Sequence, residues 1–275
     1  MRRLPVHEPV SDGLDATIAF VRHGESTAIV EGRFQGHLDV ALSPTGRRQA
    51  QLVARRLARP HDSPTLPVPT GPPLEIVHSP LARATDTATT IAAAMGAPEA
   101  FGRRVRLRPE PGLMEIEQGK WEGLHRTDVE AGWGDVLAAW RRSPMESWAP
   151  GGESIPVVQD RVRPVLDGLL ERLGDGRTPG AVDRPQVLGG STPAEHQPWA
   201  VVVGHDGVFK VAVLTLLDLP LERFWSLPFA LCGITVIELV GGRARLRAHN
   251  LTEHLAPLEE RAQAATDARE RTGAL

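Results

Sequence analysis

Three short apolar runs in this chain each end in residues able to handle a negatively charged group. The first closes on Arg22-His23-Gly24-Glu25, the second on His78-Ser79 and the third on Gly204-His205. An imidazole beside a guanidinium has its pKa depressed, because the like charge disfavours imidazolium. His23 is therefore expected to be neutral and nucleophilic at working pH. The neighbouring Arg22 offers a planar fork of charge-assisted hydrogen bonds that suits a phosphoryl group. Gly24 is expected to let the backbone turn tightly. Arg83 opens a helical stretch, where a cation opposes the helix dipole, so a purely structural arginine is disfavoured there. Glu115, Glu117 and Glu122 share one later segment, and spacing alone leaves open which of them is the acid. Glu25 reads either as an exposed charge or as a partner that orients Arg22 or His23.

These residues need elements to position them. The apolar, β-branched runs at 16–21, 74–78 and 199–203 read as buried strands, with a shorter one at 105–107. Ser43 as N-cap and Pro44 at the first helical position open a helix to about residue 59, with Ala50, Val53, Ala54 and Leu57 on one face. Further helices are expected over 81–95, stopped by Gly96, and over 129–140, 157–173 and 207–217. Runs at 234–240 and 244–248 flank Gly241-Gly242, a hairpin signal. The segment 60–73 holds Pro60, Pro64, Pro67, Pro69, Pro72 and Pro73 and reads as a surface loop. The Gly/Pro-rich stretch 175–198 reads as a second loop, and the tail after Pro257 as helical or frayed. Strand–helix alternation implies a three-layer α/β/α sandwich with a mostly parallel central sheet. Ligands in such sheets bind beyond the carboxyl ends of the strands, where all three chemistry-bearing ends fall.

Composition narrows the function classes. The 275 residues carry a net charge of −3, which argues against a globally basic nucleic-acid binder. The single cysteine, Cys232, excludes an intrachain disulfide and a Cys-rich zinc module. Neither a signal-like apolar run at the start nor a bilayer-length segment is visible; 211–221 is interrupted by Thr215, Asp218 and Pro220. A cytoplasmic protein without membrane or nucleic-acid partners is expected. His37, His61, His125, His196, His249 and His254 match no metal-ligand spacing and read as surface or packing residues. No nucleotide-binding Gly-Lys-Ser/Thr element occurs, so neither metal nor cofactor is expected.

The ordered motifs resemble the histidine phosphatase superfamily, the phosphoglycerate-mutase-like enzymes. They are Arg22-His23-Gly24-Glu25-Ser26, then Gly32 to Gly36 with Asp39, Leu42-Ser43, Gly46 and Gln49-Ala50, and Ser79 to Ala84 with Thr87-Ala88. Leu113 to Gly123, Gly151-Gly152-Glu153-Ser154 and Val203-Gly204-His205 complete the order, from about residue 17 to about 240. The resemblance implies one domain over 1–275 with a core at about 16–255 and a small helical cap at about 124–150. It implies that His23 accepts the phosphoryl group, with Arg22, Arg83 and His205 forming the phosphate pocket. Glu115 would be the proton donor and then the base that activates water. Gln35, Gly24, Ser26, Thr27, Gly204 and Asp206 would complete substrate binding.

Two positions depart from the family pattern. Ile29 stands where many members carry an asparagine, and isoleucine donates no side-chain hydrogen bond. Asp206 stands where the phosphatase branch has a small residue, and its carboxylate would repel substrate unless it points away or pairs with Lys210 or an arginine. The short acid loop with Glu117, and the segment 217–225, resemble the phosphatase branch. The expected activity is a metal-independent phosphomonoesterase of the histidine acid type acting on small phosphorylated metabolites. The alternatives are mutase-type phosphoryl transfer and a non-catalytic binder of phosphorylated ligands or proteins; a homodimer stays open. Trp133, Trp140, Met145 and Trp148 are expected in the cap, at least two as core, with one or more lining the leaving-group pocket.

Overall fold

The computed structural model describes residues 13–175 and 197–258. Strand β1 (Ala16–Arg22) is followed by one helical turn, α1 (Thr27–Val30), and by α2 (Pro44–Ala58). Then come β2 (Glu75–His78), α3 (Ala82–Gly96) and β3 (Arg106–Pro109). Two long helices, α4 (Arg126–Arg142) and α5 (Ile155–Asp175), precede β4 (Trp199–Gly204) and α6 (Asp206–Leu216). The hairpin β5 (Ile234–Val240) and β6 (Arg243–Leu251) turns at Gly241-Gly242, both at positive φ.

The six strands form one sheet in the order β3-β2-β4-β1-β5-β6. The first four neighbours pair parallel, and β5 and β6 add antiparallel at one side. Alternation along the strands divides the core. Ile18, Phe20, Ala200 and Val202 pack on the face covered by α5 and α6. Ala19, Val21, Val201 and Val203 face α2 and α3 on the other side. The expected three-layer α/β/α sandwich is the observed one.

The cap helix α4 starts earlier than its periodicity suggests, and its backbone leaves helical geometry at Trp133, between two glycines. Trp121, Val129, Leu137 and Ala149 form a separate small core beneath it. The reading of 60–73 as a surface loop needs correction. It is irregular, but Leu66 and Val68 are buried in the α2–α3 side of the core. The Trp199 indole N–H donates to the Gly71 carbonyl at 2.7 Å, which ties the segment to the start of β4. Of the second loop, 176–196, with His196, lies outside the described residues, as does the tail from residue 259.

Candidate active site

Since β1 and β2 both pair with β4, their carboxyl ends lie side by side. Pairing continues past the strands: the His23 N–H donates to Gly204 O at 2.9 Å and the Ser79 N–H to Val203 O at 3.0 Å. The three chemistry-bearing ends therefore meet at the carboxyl ends of the central strands.

His23 is 2% exposed, and its Nδ1 lies 2.6 Å from the carbonyl oxygen of Gly24. A carbonyl only accepts, so Nδ1 carries the proton and Nε2 keeps its lone pair. Burial first, and then the charges of Arg22 and Arg83, hold its pKa well below the ordinary histidine value. The sequence pointed to the guanidinium; the larger cause is desolvation. The His205 ring centroid lies 5.0 Å from that of His23. His205 is fully buried, its Nε2 sits 2.8 Å from the Ser79 hydroxyl, and burial followed by the charges of His23, Arg83 and Arg22 lowers its pKa as well.

Arg83 is buried in the first turn of α3. Its Nη1 and Nη2 donate to the carbonyls of Leu38 and Gly36, both at 2.8 Å. Burial brings its pKa down to about 10, which leaves it charged at neutral pH. Arg22 donates through Nη1 to Phe229 O at 2.6 Å. After these contacts Arg22 Nε, Arg83 Nε and His205 Nδ1 remain buried without a protein partner. Buried polar atoms are almost always paired, so three such atoms around His23 describe a cradle for a hydrogen-bonding anion.

Glu115 approaches from the segment before α4. Its carboxylate accepts the N–H groups of Ile116 at 2.9 Å, Gly207 at 3.1 Å and Val208 at 3.0 Å. The last two belong to the first turn of α6, where the helix dipole favours a negative charge. Gly207 makes this approach possible, since a Cβ there would sit 2.7 Å from Glu115 Oε1. Beyond Glu115 a small, partly open cleft of about 90 Å³ is lined by Gln118, Asp206, Trp140, Phe224 and Trp225, among others. Of the four cap residues singled out from the sequence, Trp140 lines this cleft, while Trp133 packs in the cap core and Met145 against the main core. Trp148 is 40% exposed.

Among the other expected binding residues, several make contacts of their own within the fold. The Ser26 hydroxyl caps α1, accepting the Ile29 N–H at 3.3 Å, and donates to Gln35 Oε1 at 2.7 Å. That contact leaves the Gln35 amide NH₂ as a donor. Thr27 is exposed on α1. Gly204 is a packing glycine, since a Cβ would lie 2.7 Å from the Phe209 ring. The turn expected at Gly24 has a different basis, because its φ is not in the left-handed region. A Cβ there would lie 2.5 Å from Gly46 O, so close approach of α2 requires the glycine. Glu25 orients neither Arg22 nor His23; its Oε1 accepts from the Ser43 hydroxyl that caps α2, at 2.5 Å. Asp206 pairs with Lys210, one of the escapes anticipated for it.

Sequence reasoning missed Thr87, whose hydroxyl accepts the Gly24 N–H at 3.2 Å, and Ser79 as the partner of His205. It also missed Gly207, Arg161 and the aromatic pair Phe224-Trp225. Ser79 and Thr87 lay within quoted motifs; Arg161 and Gly207 carried no local signal. Among the described residues no group of three or more His, Cys, Asp or Glu side chains is placed to hold a metal ion. No described helix is long and apolar enough to cross a membrane.

Comparison with known proteins bears on this arrangement. The profile of the histidine phosphatase superfamily (branch 1) matches residues 18–182 and 188–252. The chain is 31% identical over 225 residues to glucosyl-3-phosphoglycerate phosphatase of Mycolicibacterium vanbaalenii, covering 82% of this chain and 84% of that protein. It is 28% identical over 239 residues to phosphoserine phosphatase 1 of Hydrogenobacter thermophilus, covering 86% and 93%. Among solved structures, mycobacterial glucosyl-3-phosphoglycerate phosphatase in complex with VO3 superposes with a TM-score of 0.67 at 27% identity, over 86% of this chain and 99% of the other.

Proposed function

The chain belongs to branch 1 of the histidine phosphatase superfamily, and on that premise we propose that it hydrolyses phosphomonoesters of small metabolites through a phosphohistidine on His23. The observation that carries this reading is the state of His23. Its Nδ1 is engaged by Gly24 O, and its Nε2 is free among Arg22, Arg83 and His205, whose unpaired atoms can hold a phosphoryl group. In the first step, with Glu115 entering in its protonated form, Nε2 forms the N–P bond, the ester O–P bond breaks, and Glu115 gives its proton to the leaving alkoxide. In the second, the Glu115 carboxylate takes a proton from water, whose oxygen displaces phosphate from His23. Cationic groups around the equatorial oxygens stabilise the charge that both steps develop. No metal is needed in this scheme.

The cleft supports hydrolysis over mutase chemistry. A mutase must hold a second phosphate, and the residues lining the cleft beyond Glu115 include no lysine or arginine. Its aromatic side chains favour a partly apolar or sugar-like alcohol as leaving group. The relatives' substrates, glucosyl-3-phosphoglycerate and phosphoserine, are the first to try.

The test is phosphate release from p-nitrophenyl phosphate and a panel of small phosphomonoesters, with EDTA present, for wild type and His23→Ala. Turnover that survives EDTA and disappears in the variant is the expected result. Absence of turnover in wild type, or equal turnover in His23→Ala, overturns the proposal.

A further inference from the structure

Arg161, on α5, has all five of its guanidinium N–H donors engaged. Nε donates to Glu153 Oε1 and Nη2 to Glu153 Oε2, both at 2.7 Å. Nη1 donates to the carbonyls of Gly112 at 2.8 Å and Met114 at 2.9 Å, and Nη2 also reaches the carbonyl of Glu115 at 2.9 Å. A guanidinium has five N–H groups in a fixed plane, so none is left over for a ligand. Three of the five acceptors are main-chain oxygens of the segment that carries Glu115.

Glu153 completes the clamp. Its Oε2 accepts the Glu117 N–H at 3.0 Å, and its own N–H donates to Glu117 O at 3.0 Å. Burial would raise its carboxyl pKa, but the hydrogen bonds from Arg161 and Glu117 outweigh it and hold it below the ordinary range. Glu153 therefore stays ionised at neutral pH. Gly152 is needed for the approach, since a Cβ there would lie 2.3 Å from Glu117 O. His37 Nε2 lies 2.8 Å from the same Glu115 carbonyl oxygen and 3.9 Å from Glu153 Oε2. The main chain of Glu115 is thus held by Arg161 and His37, while its carboxylate is held by α6.

We infer that Arg161, with Glu153 as its counter-ion, is a positioning residue that sets where the Glu115 carboxylate meets the leaving oxygen. The inference rests on Glu115 as the general acid. Lysine would keep the charge but lose the planar fork, so it could satisfy at most part of the set.

Leaving-group dependence separates positioning from a merely structural role. An alkoxide such as that of glycerol needs a proton to depart, whereas p-nitrophenolate leaves well without one. A smaller folded fraction lowers both activities equally, so their ratio does not depend on how well a variant folds. We would measure kcat/KM on glycerol phosphate and p-nitrophenyl phosphate for wild type, Arg161→Lys, Glu153→Gln and Glu115→Gln. A general acid contributes about 10²–10⁴-fold, and small misplacement forfeits a large part of that. The expected result for Arg161→Lys is a loss of about 30-fold or more on glycerol phosphate and under about 3-fold on p-nitrophenyl phosphate. Glu153→Gln should lean the same way, and Glu115→Gln should show the widest ratio. Equal losses on both substrates in Arg161→Lys, beside a selective loss in Glu115→Gln, overturn the positioning role alone. Equal losses in Glu115→Gln overturn the acid role, and the inference with it.

Discussion

Lys210 Nζ lies 2.5 Å from Asp206 Oδ2, one turn apart on α6, and sits 5.2 and 4.9 Å from the ring centroids of Phe224 and Trp225. The other carboxylate oxygen of Asp206 accepts the Phe229 N–H at 3.2 Å, and the carbonyl of Phe229 holds Arg22. A negative charge next to His205 is in this way matched by a buried cation, and both are linked through one residue to an arginine of the anion cradle. The pair explains how a carboxylate is tolerated beside a site built for anions.

Removing one partner of a buried pair is costlier than removing both. Asp206→Ala strands an almost fully buried ammonium and should cost about 3 kcal/mol of stability, more than Lys210→Met, whose stranded carboxylate is better solvated. The Asp206→Ala/Lys210→Met double variant should recover most of the loss. Urea unfolding of the four proteins measures the cycle, and strictly additive losses would contradict the pairing.

Arg83 has two of its five N–H groups fixed to main-chain carbonyls, which sets the orientation of its buried, unpaired Nε–H in the cradle. Arg83→Lys keeps a charge without that geometry. One charge-assisted hydrogen bond contributes about 1.5–3 kcal/mol, so kcat/KM should fall about 10- to 150-fold. A variant within about 3-fold of wild type would remove Arg83 from the phosphate pocket.

Where β1 leaves the sheet, Gly24 and Gly46 bring two backbones together. A Cβ on Gly46 would lie 1.9 Å from Glu25 O. Only backbone surrounds that position, so nothing can swing away. Gly46→Ala should cost at least about 3 kcal/mol, the upper range for overpacking, whereas Gly134→Ala in α4, with open space around it, should cost nothing. Denaturant midpoints of the two variants decide it.

The buried histidines set a pH dependence. His23, His205, His78 and His254 all have pKa values lowered, chiefly by burial. Unfolded, each would protonate near 6.5. Below that pH the unfolded chain binds protons that the folded chain refuses, so stability falls as pH drops from 6.5 toward the folded pKa values. Above about 7 these groups contribute no slope. The loss should approach ~1.4 kcal/mol per pH unit per histidine, and be shallower in His23→Asn/His205→Asn. Urea unfolding between pH 7.5 and roughly 5.5 tests the sign, since stability that rises on acidification would contradict it.

Trp140 and Trp225 meet edge to face with centroids 4.7 Å apart at the cleft. Trp225→Ala should raise KM for a ring-bearing phosphomonoester by about 10-fold, as lost aromatic contact of about 1–1.5 kcal/mol implies, and leave glycerol phosphate nearly unchanged. Equal effects on both would place these rings in the fold's support and not against the leaving group.

Much of the frame was legible in the sequence because it obeys short-range rules. Continuous apolar, β-branched runs marked β1, β2 and β4; Ser43-Pro44 marked the start of α2; Gly241-Gly242 marked the hairpin. Each depends on a few adjacent residues. The one-turn helix α1 escaped because four residues carry no periodicity, and α4 was shortened because its break at Trp133 divides the pattern. In the same way, the arginine–histidine motifs mark candidates for an anion site by residue type alone.

Tertiary structure alone decided the state of those candidates. That burial outweighs Arg22 in lowering the His23 pKa depends on layers brought in from distant segments. That the carboxylate of Glu115 meets the first turn of α6, about ninety residues on, follows only from the folded arrangement. Arg161 had no mark in the sequence, since its acceptors are mostly main-chain carbonyls, which every residue possesses. Local sequence specifies dihedral preference and polarity; hydrogen bonds to generic backbone atoms, and the desolvation around a charge, exist only once the chain has closed on itself.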